Sequence, residues 1–211
     1  MRQACRSSFR HAAFAAAALL GAAPDAGAVF ISTPLGSPPS VTLRVGSANN
    51  TINRVTFTVN NANVMPTPTP VIGTPSAGTP PTSPAGGVEI EVITRNTASL
   101  FDRRTMRLTV NSSTPLQCVA GSGCGTTVIP FTDIRWTSYN LEAGNNAGQD
   151  IQTGSFDGSG AQQLAIYESV ILFGFGSSIT MRNVLVFQYD NTTLYPSGRY
   201  LGRVVYTASN L

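Results

Sequence analysis

Residues able to do covalent or acid-base chemistry are few in this chain, and their spacing narrows the options further. The single histidine is His11, the three cysteines are Cys5, Cys118 and Cys124, and all 13 basic residues are arginine. Without lysine, and with its histidine so near the start, the chain lacks the usual actors of proton shuttling and Schiff-base formation. Carboxylates remain. Glu89 and Glu91 stand two apart in Val88-Glu-Ile-Glu-Val92, and a carboxylate pair is what glycoside hydrolysis uses. The same spacing also marks the outward positions of an alternating strand whose Val88, Ile90 and Val92 point inward. That second reading is preferred, and no catalytic residue is expected.

Cys118 and Cys124 bracket the small residues Val-Ala-Gly-Ser-Gly. In an oxidising compartment such a pair closes a structural disulfide. A redox pair shows the shorter C-x-x-C spacing, and zinc needs more sulfur or imidazole ligands than remain. Glu142, Asn145, Asn146, Asp150 and Asp157 fall in the Gly-rich stretch 141–160, where oxygen ligands on loops suit calcium. No loop motif with defined ligand spacing is present, so no metal or other cofactor is expected. Trp136 and Tyr139, in Ile134-Arg-Trp-Thr-Ser-Tyr139, are the candidates for stacking on a sugar ring, with burial in the core as the competing fate of the tryptophan.

The first 28 residues read as a secretory signal peptide. Arg2, Arg6 and Arg10 form a basic start, residues 12–23 an Ala/Leu-rich run, and Ala26-Gly27-Ala28 a small-x-small cleavage site. The run is shorter than the roughly 20 apolar residues of a spanning helix. Cleavage would leave residues 29–211 with no histidine, 10 arginines and 9 acids, hence a net charge near +1. Arg103, Arg104 and Arg107 are the only dense basic stretch, and a nucleic-acid partner needs basic residues gathered on one face. No nucleic-acid partner and no membrane span after leader removal are expected.

The elements that must position these residues are strands. Arg54–Asn60, Val88–Thr94 and Arg104–Val110 alternate apolar and polar residues, the pattern of half-buried antiparallel strands. Segments 41–45, 126–137, 152–156, 163–173, 179–189 and 199–208 bring the expected number to about nine. Ser169–Phe175 and Val184–Tyr189 are almost continuously apolar and should be central, with Gly174, Gly176, Ser177 and Ser178 forming a hairpin turn between them. Residues 65–87 hold seven of the 14 prolines and read as an extended exposed loop outside any ladder. A single all-β antiparallel sandwich over residues 29–211 is the expected architecture.

The C-terminus, Leu194-Tyr-Pro-Ser-Gly-Arg-Tyr-Leu-Gly-Arg-Val-Val-Tyr-Thr-Ala-Ser-Asn-Leu211, is a turn leading into an alternating strand with Tyr200, Gly202, Val204, Tyr206 and Ala208 on one face. It resembles the closing strand of exported bacterial β-sandwich proteins of the spore coat protein U and fimbrial subunit type. There a Tyr-Pro-x-Gly-x-Tyr-like turn precedes the last strand, and in pilins a glycine stands fourteenth from the end, as Gly198 does here. The chain departs from pilins in having Asn210 rather than tyrosine at the penultimate position, and in its short cysteine spacing. The resemblance implies an immunoglobulin-like sandwich, surface assembly, and a partner added as a strand at a sheet edge, either a second copy or another envelope β-protein. Val29–Leu35 is then a candidate donor segment, limited by Pro34, Pro38 and Pro39. The expected function is a structural or adhesive protein of the periplasm, cell surface or extracellular space. The alternative is a secreted carbohydrate-binding module using Trp136 and Tyr139.

Overall fold

A computed structural model describes residues 40–46, 54–76, 81–95, 102–140, 147–171 and 178–211. The expected leader at 1–28, the candidate donor segment at 29–35 and the loop residues 141–146 lie outside them. The strands are β1 (Ser40–Val45), β2 (Val55–Thr56), β3 (Val71–Ile72), β4 (Thr74–Pro75), β5 (Val88–Arg95), β6 (Asp102–Asn111), β7 (Leu116–Cys118) and β8 (Val128–Ile129). They continue as β9 (Ile134–Tyr139), β10 (Ala147–Gln149), β11 (Gly154–Ser155), β12 (Gln162–Ile171), β13 (Ser178–Tyr189), β14 (Tyr200–Leu201) and β15 (Val205–Asn210).

Two antiparallel sheets carry the fold. One has the order β1-β5-β13-β9-β11, with β3 also pairing β13; the other has the order β10-β12-β6-β15. Period-2 alternation turns one face of each sheet inward. Val41, Leu43, Ile90, Val92, Trp136, Met181, Leu185 and Phe187 from the first meet Met106, Leu108, Val110, Leu164, Ala165 and Tyr167 from the second in one buried cluster. This is an all-β sandwich. Phe156, on the segment joining β11 to β12, stacks on Phe187 at 6.0 Å and meets Trp136 edge-on at 5.0 Å.

Of the two apolar segments, 184–189 is central as its composition demands, whereas of 169–175 only the part through Ile171 lies among the described residues, and the two strands do not form a hairpin. β12 lies between β10 and β6, whereas β13 lies between β5 and β9 in the opposite sheet. The chain therefore crosses between layers after Ile171, and glycine-rich turn chemistry does not decide which of those two routes a connection takes. The expected strand at 126–137 is likewise divided. Pro130 interrupts it, a 3₁₀ turn spans Phe131–Asp133, and β8 and β9 belong to different sheets. The expected strand at 199–208 breaks at residues 202–204, with β14 and β15 in different sheets, and Gly202 sits where no side chain fits. A Cβ at Gly202 would stand 2.8 Å from Leu116 Cγ and 2.9 Å from Phe131 Cζ.

The proline-rich segment also differs from expectation, because part of it enters ladders. β3 pairs the end of β13, and β4, which includes Pro75, pairs β2. Asn60 caps a one-turn helix at Asn61–Val64 with its side chain on the Ala62 amide. Asn191, 3% exposed, donates from Nδ2 to the carbonyls of Asn63 at 2.8 Å and Thr69 at 3.1 Å. One buried amide thereby fastens this segment to the sandwich.

Candidate functional site

Cys118 and Cys124 are joined as a disulfide, with their Cα atoms 5.7 Å apart. The loop they close is stitched to the C-terminal segment. Val119 N donates to Arg199 O at 2.8 Å, Ser122 Oγ accepts from Arg199 N at 3.1 Å and donates to Val119 O at 2.7 Å, and β14 pairs β7. Gly198 sits directly against the bridge. A Cβ there would stand 2.5 Å from Cys124 Sγ and 2.7 Å from its Cβ, so close approach of the disulfide is what requires glycine at this position.

The alternation of β9 separates the two aromatic candidates. Trp136 points inward and is 3% exposed, whereas Tyr139 points outward and is 40% exposed. Trp136 Nε1 donates to Gln152 O at 2.8 Å, which satisfies its polar atom inside the core. The pair expected to stack on a sugar is therefore split between opposite faces of one sheet and makes no common platform.

Glu89 and Glu91 lie on the outer face of β5, opposite Ile90 and Val92. The register aligns Arg44, Glu91 and Arg182 in one row across β1, β5 and β13. Glu91 Oε2 accepts from Arg44 Nη1 and its Oε1 from Arg182 Nη2, each at 2.9 Å. Arg182 also pairs Glu89 at 3.7 Å. Both oxygens of Glu91 are thus occupied by guanidinium donors, and its side chain, only 5% exposed, is covered by its own partners.

Other carboxylates are similarly committed. Asp190 pairs Arg135 at 2.8 Å, and Asp133 accepts from Tyr195 Oη at 2.9 Å. Of the calcium candidates, Asp157 Oδ1 accepts from Ser159 N at 2.7 Å and Asp150 is buried; Glu142, Asn145 and Asn146 lie outside the described residues. Among those residues no group of three or more His, Cys, Asp or Glu could hold a metal ion, and no helix is long and apolar enough to cross a membrane.

Three tyrosines near the C-terminal segment hold their protons more tightly than free phenols. Burial, reinforced by Asp133, pushes Tyr189 up to about 12. Burial and the bond to Asp133 raise Tyr195, and burial alone raises Tyr206.

One place where the fold offers something to a partner is the edge strand β15. Leu211 and Thr105 exchange both backbone bonds, at 2.9 and 3.0 Å. In an antiparallel ladder such pairs alternate, so Val205, Thr207 and Ser209 face β6 while the N–H and C=O groups of Tyr206 and Ala208 point away from it. Among the described residues β15 pairs only with β6. Comparison with protein-family models, with curated proteins and with solved structures found no match. The edge must therefore be judged on its own chemistry. Residues 205–211 carry no charged side chain and no proline, and Val205 and Leu211 are 45% and 60% exposed on the same outer face. Charged side chains and proline are usual protections of an edge; residues 205–211 have neither, although β1 of the other sheet lies close beside β15.

Proposed function

We propose that this chain is an exported, non-enzymatic structural or adhesive protein of a bacterial envelope or surface that assembles by strand addition at β15. The observation that carries the reading is the edge strand itself: outward-directed backbone groups at Tyr206 and Ala208, flanked by exposed apolar side chains. Backbone pairing at such an edge provides affinity, and side chains on alternate positions provide fit. Two further features support export and the non-enzymatic role. The sequence opens with a leader pattern and closes a disulfide, and several of its carboxylates hold the sandwich together.

The test is an edge charge. Thr207 is exposed on the outer face, so Thr207→Lys leaves the core intact while opposing edge pairing. Electron microscopy of the exported protein should show ordered assemblies that the variant lacks. Assemblies unchanged by Thr207→Lys would place the contact elsewhere, and a reproducible turnover abolished by alanine at one carboxylate would make the protein an enzyme.

A further inference from the structure

Three buried side chains near the β10–β11 connection hold polar atoms with no partner among the described residues: Tyr167 Oη, Asn183 Nδ2 and Ser138 Oγ. Their residues are 1%, 0% and 7% exposed. Leaving such an atom unpaired costs about 1–3 kcal/mol, and three together call for a common explanation.

The registers set Ser138 near Asn183 on neighbouring strands, and place Asn183 and Tyr167 beside the same segment, at Ile151 and Gly148. Asn183 and Ser138 point inward from neighbouring strands of the first sheet, Ser138 pairing Leu185, two residues along from Asn183. Asn183 Oδ1 accepts from Ile151 N at 3.3 Å, which fixes the orientation of the amide and leaves Nδ2 as the donor. Tyr167 points inward from the second sheet and pairs Gly148, three residues before Ile151. Depth along the strands agrees: Tyr167 lies four residues before the end of β12 and Asn183 five after the start of β13, where the chain passes from one sheet to the other. Facing sheets stand about 10 Å apart, a gap that a tyrosine and an asparagine reach into from opposite sides.

We propose that Tyr167, Asn183 and Ser138 together bind one buried water molecule that bridges the two sheets. The valence matches. A water accepts from Asn183 Nδ2 and Tyr167 Oη and donates to Ser138 Oγ, giving the three bonds typical of buried waters. The neighbours Ile151, Met181 and Leu185 are apolar and fully buried, so this water is shielded from exchange. It belongs to the fold rather than to the surface reading above, and the proposal stands or falls without it.

A high-resolution crystal structure of the full exported chain should show ordered density about 3 Å from all three atoms. An interlayer space without density there overturns the proposal. In solution, Tyr167→Phe supplies a test by sign. Removing one of three ligands of a bound water lowers Tm by about 2–4 °C in a chain of this size. Removing an unsatisfied hydroxyl from a dry core raises Tm instead, and that result also overturns the proposal. Should the variant fail to fold, the density in the native protein decides alone.

Discussion

Glu91 is held from both sides, and the arginines that hold it are 47 and 91 residues distant in sequence. Alternation alone places the glutamate on the outer face of β5, as the sequence predicts. Its partners were not legible, because they depend on which strands flank β5. Glu91→Ala should destabilise the protein by about 1–2 kcal/mol in urea unfolding, below the 3–5 kcal/mol typical of a fully buried pair, because Arg44 and Arg182 are 35% and 50% exposed and can rehydrate. The tyrosines give a second prediction. A phenol with a raised folded value keeps its proton while the unfolded chain loses its own, so stability is fully present below pH 10 and falls as pH rises toward 12. For Tyr189, raised from 10.0 to about 12, the loss is on the order of 2–3 kcal/mol. With no lysine in the chain, chemical denaturation across this range reports mainly tyrosine, and Tyr189→Phe should flatten the profile. Trp136 shows the limit of composition at this scale: the residue type allows either a binding platform or a core, and its place on an inward position of β9 makes it core.

At the scale of elements, long alternating or apolar segments were legible and their interruptions were not. β5, β6 and β13 fall close to where their patterns predict. The expected strand at 54–60 shrinks to Val55–Thr56 because Asn60 caps a helical turn, and that at 152–156 to Gly154–Ser155. There, residues 151–153 instead bond back to the first sheet through Asn183, Trp136 and Ser138. Gly198 resembles a family turn in sequence, yet its local role is to let the disulfide pass. Gly198→Ala should therefore cost about 1–3 kcal/mol through overpacking in thermal unfolding. The penalty should shrink when Cys124→Ala removes the sulfur. Reducing the Cys118–Cys124 bridge should itself cost about 2 kcal/mol by the loop-entropy relation.

For the whole molecule, strand patterning sufficed for a two-layer sandwich, because both sheets must bury one alternating face. The layer change between β12 and β13 depends on contacts far apart in sequence and left no local signal. The account of function rests on the outward-directed backbone groups of Tyr206 and Ala208 in β15, and amide hydrogen exchange measured on assembled fractions tests that most directly. Strand addition predicts that the amides of Tyr206 and Ala208 gain protection on assembly, while those of Thr207 and Ser209 are already protected by β6. Assemblies in which Tyr206 and Ala208 exchange as fast as in the monomer would contradict it.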